Sequence, residues 1–472
     1  MFTSIDMTEG RPWKKLLLFA VPLLIGNLFQ QMYSTADAIM LGHFEGDDAL
    51  AAVGASTPIF FLIIVLLMGI AVGSGIMVSQ YHGAKKREEL SYTIGTSITL
   101  ITILSVAMMI AGPAFTRPLL TLLSTPKGIM DDSVMYMNIL LFGVLGVAYF
   151  NILSGILRSL GDAFSPLVYL IVACLLNVVL NLFLIPRMGT PGAALGTVIA
   201  QAVSSLLCFR RLMQMRNVFD MKWSFLIPKK SYVSQILKLG IPTGASQALI
   251  AIAFMVVQPL VNGFGEMFIA TNVIMMRIDS IVMMPIFSFS NAMTVFTGQN
   301  VGAGKMDRVN QGTKQGALMA VAVTLVMVAV IVIFGPFIAG LFTKTTDVID
   351  LASRLLRIIA AGFVPLTVCM VLWGVIRGAG DAISPLWGAA INSVFVRVPV
   401  AYLLVYLLKR EEALVFSLLA AWLTNTLISI IVYRMGRWRN KGIVKDHPPE
   451  EPECAADAAA EDEIEETKIY SL

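Results

Sequence analysis

ILSGILRSLGDAFSP, residues 152–166, returns as VLWGVIRGAGDAISP at 371–385, a step of 219 residues. Gly155, Arg158, Gly161, Asp162, Ala163, Ser165 and Pro166 of the first copy meet Gly374, Arg377, Gly380, Asp381, Ala382, Ser384 and Pro385 of the second. The same step pairs Gln80, Gly83 and Ala84 with Gln299, Gly302 and Ala303, and a step of 220 pairs Pro22 with Pro242. The chain therefore carries an internal duplication. Outward from both copies run apolar stretches long enough to cross a bilayer. Twelve spans are expected, near 14–41, 48–80, 90–114, 134–159, 163–186, 191–213, 235–262, 266–298, 312–342, 351–377, 383–408 and 412–435. Each half holds six, an even number, so both halves insert the same way round, as parallel repeats do. The expected fold is an all-α membrane protein: twelve transmembrane helices in two pseudo-symmetric six-helix bundles.

Composition agrees. Of 472 residues, 57% are hydrophobic and only 14% charged, and the mean hydropathy is +0.80. Those values exclude a soluble domain of this size. The 37 Gly and 20 Pro suit membrane helices. A net charge of +4 carries no signal for nucleic acid, because the basic residues lie in loops. Lys and Arg divide 24 to 8 between the two sides. The excess places both termini and the 214–234 segment in the cytoplasm. A multi-pass protein of the cytoplasmic membrane is expected, as a monomer, with its first span serving as its own insertion signal. The domain reading is an N-terminal six-helix lobe at 1–213, a cytoplasmic linker at 214–234, a C-terminal lobe at 235–436 and an acidic disordered tail at 437–472.

Function is sought where polar residues enter apolar spans. IGNLFQQMYSTADAIML, residues 25–41, carries Asn27, Gln30, Gln31, Ser34 and Asp37. At about 100° per residue these five fall within an arc of about 120°, so one side of the first helix is polar and ends in an acid. An ionisable group inside a membrane helix normally faces a cavity on an ion or substrate path. The alternative is an Asp near a helix end, wetted by headgroup water. Asp37 lies four residues from the outer end of its span. Asn177 and Asn181 sit at i and i+4 near the outer end of the fifth span, and Thr197 lies six residues into the sixth. All four share a depth. The competing reading is that the two Asn merely bond neighbouring helices. In the second half, Arg277, Asp279 and Arg397 lie near mid-span, where Asp279 is expected to pair with an Arg and leave one positive charge facing water or substrate. A purely structural pair is the rival reading.

Other chemistry is absent. GQNVGAGKM lacks the first Gly and the Ser or Thr of a phosphate loop. His43, His82 and His447 form no zinc motif, and the four Cys, at 174, 208, 369 and 454, make no CxxC. The 27 Met suit either apolar filler or a plastic cavity.

The chain resembles the multidrug and toxic compound extrusion (MATE) family. The resemblance rests on PLLIGNLFQQMYSTADAIMLGHFEGDDALAAVG (22–54), the two RxxGDAxSP segments, GTPGAALGT (189–197) and GQNVGAGK (298–305). It implies two six-helix lobes opening alternately to either side. It also implies export of small organic, mostly cationic and amphipathic compounds in exchange for H⁺ or Na⁺, with no other cofactor. Asp37, Asn177 and Thr197 match the family's ion-coupling positions. Asn181 departs from it, since many relatives have Asp there. The first-helix stripe, with Gln247, Arg277, Asp279 and Arg397, is expected to line the substrate cavity. Pro22, Pro242, Gly161, Pro166, Gly380 and Pro385 are the expected hinges and gates. A flippase for lipid-linked sugars is the alternative, favoured by Arg277 and Arg397.

Overall fold

The structure, a computed structural model, describes residues 4–445. Its regular elements are all helical there. The first half runs α1 (Pro12–Glu45), α2 (Asp47–Gly83), α3 (Arg87–Leu122), α4 (Lys127–Phe142), α5 (Val144–Ser159), α6 (Phe164–Met188) and α7 (Thr190–Gln214), followed by the short α8 (Trp223–Leu226). The second runs α9 (Lys230–Gly263), α10 (Glu266–Gly302), α11 (Met306–Gly340), α12 (Thr346–Gly378), α13 (Ile383–Ala390), a π-helical turn (Ile391–Arg397), α14 (Val398–Leu408) and α15 (Glu412–Met435). Eleven helical stretches are long and apolar enough to cross a membrane, with α13–α14 counted as one; α4 and α5, bent by 48°, make a twelfth. The twelve expected spans are thus found. The bend falls at Gly143, where a Cβ would stand 2.1 Å from Val198 Cγ2 of α7.

The duplicated GDAxSP motif turns out to be a corner. Gly161 and Gly380 take φ of +90° and +100°, a backbone region glycine enters without strain. The next residue caps the helix that follows. Asp162 accepts from Ser165 N (2.9 Å) and Ser165 Oγ (2.7 Å). Asp381 accepts from Ser384 N (3.0 Å) and Ser384 Oγ (2.7 Å). In both, the side chain satisfies backbone and hydroxyl donors that lipid would leave bare. The first corner has one further tie: Arg211 donates to buried Asp162 at 2.7 Å.

The helices group into two compact units. Among the described residues, one comprises Val21–Gly244 with Ser4 and Ile5; the other comprises Asp6–Ala20 and residues 245–445. These bounds differ from the expected lobes. The chain changes unit inside α1 and inside α9, next to Pro22 and Pro242. The reason is packing. Within the second unit, Gln299 accepts from Met7 N, while Asn300, Lys305 and Arg308 donate to the carbonyls of Met7, Thr8 and Glu9. Leu16 and Phe19 are fully buried. Within the first unit, α9 crosses α2 so closely that a Cβ on Gly73 would meet Ile236 O at 2.6 Å. Small residues commonly allow such approach in lipid.

Two further expectations change. The 214–234 segment is part of the first unit: Arg87 grips Asp220 through two nitrogens (2.9 and 3.1 Å) and donates to the carbonyls of Arg216 and Asn217. The tail expected from 437 begins ordered, because Arg437–Lys441 form a 3₁₀ turn that buries Trp438 against Tyr433. Residues 446–472, the acidic part, lie outside the described residues.

Two outcomes are expected. Asp162→Ala, which removes a cap together with the buried Arg211 ion pair, lowers unfolding stability in detergent by roughly 3–5 kcal/mol. Asp381→Ala removes only a cap and costs roughly 0.5–2 kcal/mol. Equal losses would contradict the extra tie. The second concerns Asp220, whose carboxyl is held below its usual range chiefly by the hydrogen bonds from Arg87. A depressed folded value means that the contribution is present at neutral pH and is lost on acidification below the ordinary value of about 4. Hydrogen exchange in 214–222 should rise there, and Asp220→Asn should show the raised exchange already at pH 7.

Candidate functional site

Within the first unit, three helices bring one acid and its partners together. α1 supplies Asp37 and, one turn earlier on the same face, Tyr33. α6 supplies Asn177 and Asn181, both fully buried. α7 supplies Thr197. Asn181 Nδ2 donates to Asp37 Oδ1 at 2.6 Å and to Asn177 Oδ1 at 3.1 Å. Tyr33 OH donates to Thr197 Oγ1 at 3.0 Å, and Asn177 Nδ2 approaches the same oxygen at 3.5 Å. The four residues picked out by shared depth are therefore one connected network. Asp37 is half-buried and accepts from the Asn181 amide.

The close approach of α6 and α7 is written in glycine. A Cβ on Gly196 would lie 2.1 Å from Asn181 Oδ1, and one on Gly192 would lie 2.5 Å from Leu184 O. Gly196 thus leaves the space in which the Asn181 amide sits. Neither it nor Tyr33 is reached by reasoning from ionisable residues alone, although Tyr33 is visible as the residue four before Asp37.

The Asn177 amide fits its surroundings with Nδ2 2.6 Å from Asp37 Oδ1, to which it donates, and Oδ1 accepting from Thr197 N (3.2 Å) and Tyr33 OH (3.3 Å).

A family model, MatE, matches residues 22–183 and again 242–403, once in each half at a step of 220. The chain belongs to the MatE family, that of the MATE multidrug efflux transporters. Among similar proteins are the probable multidrug resistance proteins YoeA and YpnP of Bacillus subtilis. The first is 28% identical over 93% of this chain and 98% of its own length. The second is 29% identical over 92% and 98%. A solved structure described as MATE in the straight conformation is 26% identical, covers 92% of this chain and 98% of that one, and superposes with a TM-score of 0.86. The MATE fold and the twelve-span reading agree.

The other residues singled out from the MATE-like sequence scatter more. Gln30 and Ser34 are exposed, with Ser34 Oγ bonded back to Gln30 O; Gln31 is half-buried and accepts from Thr35 through its carbonyl; Asn27 is half-buried. In the second unit, Gln247 and Arg277 are exposed. The pairing expected for Asp279 does not close into a salt bridge. Arg277 lies about 200° round the helix from it. Arg397, which does face it electrostatically, instead lays its guanidinium 3.6 Å from the ring centre of Phe254.

Gly196→Ala tests the packing of the network. Alanine is the better helix former, so an uncrowded site would gain stability. Here the added methyl displaces the Asn181 amide from Asp37. The expected result is a lower unfolding temperature, a cost of about 1–3 kcal/mol, and impaired transport by correctly inserted protein.

Proposed function

We propose that this MATE transporter exports small amphipathic organic cations across the cytoplasmic membrane in exchange for protons, by alternating access. Asp37 is the coupling group. One observation carries the reading: a single carboxylate inside the bundle stands 2.6 Å from the Asn181 amide nitrogen and 2.6 Å from the Asn177 amide nitrogen. Loss of a proton turns a neutral cage into one with a net negative charge, which favours an organic cation. Uptake of a proton from outside removes that charge, and the cation is released. Asn181, where an Asp would add charge, lowers the attraction for Na⁺, so H⁺ is the favoured ion. The Lys and Arg bias supports cytoplasmic termini, which sets the outer end of α1 as the side where the proton enters. Pro22 and Pro242, where α1 and α9 pass between units, are the proposed hinges, because a missing N–H weakens the helix ladder. The capped corners at Gly161–Pro166 and Gly380–Pro385 act as fixed pivots in this scheme.

The test is substrate-driven proton flux in sealed vesicles. Native protein is expected to move protons against a gradient of a fluorescent organic cation. Asp37→Asn should insert normally and reduce that flux by about a hundredfold or more, as losing about 3 kcal/mol of coupling would. Undiminished transport by Asp37→Asn rules the scheme out, and flux that follows Na⁺ rather than H⁺ overturns the choice of ion.

A further inference from the structure

Within the first unit, the chain between α7 and α9 descends along α3 and climbs back. Each step of its path is fixed by a contact. Arg87, at the start of α3, donates to the carbonyls of Arg216 and Asn217. One turn further, Ser91 Oγ accepts from Asp220 N at 2.8 Å. At the next turn a Cβ on Gly95 would lie 2.1 Å from Phe225 O. At the lowest point Thr99 donates to Leu226 O at 2.6 Å. The chain then rises, and the Lys229 ammonium stands 3.4 Å from the ring centre of Tyr92. Ser91 and Thr99 are about 12 Å apart along the helix axis, which is the depth of the dip.

The charge pattern of α3 sets the level of the bilayer. Between Glu89 and Arg117 the helix carries no charge. That stretch is about 40 Å long, of which the hydrocarbon core takes about 30 Å. With the stretch centred on the core, the apolar region begins near Ile94. Ser91 and Tyr92 then stand at headgroup level, and Gly95 and Thr99 lie at or below the edge of the core. The low part of the dip suits that depth. Phe225 is buried, its ring edge-on to Tyr92 at 4.6 Å, while Trp223 and Ile227 are 86% and 68% exposed. Tryptophan is enriched at membrane interfaces. A backbone at this level needs its carbonyls satisfied, and Thr99 does that for Leu226. Lys222 lies on the descending limb, Lys229 and Lys230 on the ascending one, and all three are exposed. The acids around them are Glu88 and Glu89 in the first turn of α3 and Asp220, which Arg87 pairs. Three ammonium groups against two other carboxylates leave a net positive charge beside the headgroups, with Lys86 and Arg216 adding to it further out.

We propose that residues 220–230 form an interfacial lipid site for anionic phospholipid, in which Lys222, Lys229 and Lys230 attract the headgroup and Trp223 and Ile227 sit among the upper acyl chains. The site involves no transport step, so it stands or fails apart from the coupling scheme. The purified full chain is placed in phosphatidylcholine nanodiscs containing increasing amounts of a lipid brominated near the top of its acyl chains. The brominated lipid is either phosphatidylglycerol or phosphatidylcholine. The share of quenching that belongs to Trp223 is the difference between native protein and Trp223→Phe. Both lipids are expected to quench Trp223, and phosphatidylglycerol should do so at about fivefold lower mole fraction, as one net positive charge near the surface gives. Lys222→Gln with Lys230→Gln, which leaves Lys229 on Tyr92, should remove that preference while quenching by phosphatidylcholine persists. Inorganic phosphate or glycerol phosphate, added at constant ionic strength, should leave quenching by brominated phosphatidylglycerol unchanged. No quenching attributable to Trp223 puts the dip in water and overturns the proposal. Equal curves for the two lipids overturn it as well, as does a preference that survives the double lysine variant. Competition by the soluble phosphates assigns the charge to a free anion and overturns the lipid.

Discussion

A carboxylate inside a membrane helix survives only if neighbouring helices supply its hydrogen bonds, because lipid supplies none. That constraint shapes the first unit. Asp37 lies on α1 with Tyr33 one turn before it, and the other groups around it come from elsewhere: the amides of Asn181 and Asn177 and the hydroxyl of Thr197. For α7 to come close enough to α6, Gly192 and Gly196 must lack side chains. The packing of this bundle and the chemistry of its acid are therefore one arrangement.

The rest of the scaffold obeys the same rule by other means. Serine and threonine hydroxyls throughout the spans donate to the carbonyl four residues back, as Ser97 and Thr324 do. At the two corners an aspartate does this work for a helix start, and the chain used the solution twice. Only the first copy is tied down further, by Arg211. The two halves are thus alike in backbone and unlike in charge.

Family membership and local chemistry contribute different things. The MatE match and the named relatives speak for efflux and for the fold. They say nothing of ion coupling in this chain. The proposal that Asp37 couples transport to protons stands on its hydrogen-bond network. The replacement of an expected acid by Asn181 is what makes the network neutral when Asp37 is protonated, and so what ties its charge to a single proton.

The sequence by itself determined the helical class, the duplication and the number of spans, because apolar length and repeated motifs are one-dimensional properties that lipid enforces. It also determined the Asp37, Asn177, Asn181 and Thr197 grouping, since depth along a span can be counted in residues. Tertiary structure decided what counting cannot reach. Residues 6–20 belong with the second unit because the side chains of Gln299, Asn300, Lys305 and Arg308 grip their backbone. The Asp279 pair stays open because a π turn and the Phe254 ring draw Arg397 aside. The GDAxSP motif makes a capped corner because φ is positive at its glycine and the aspartate turns back onto its own helix. Each of these depends on a contact between residues far apart in the chain, or on a local departure from α-helical geometry, and neither leaves a periodic trace in the sequence.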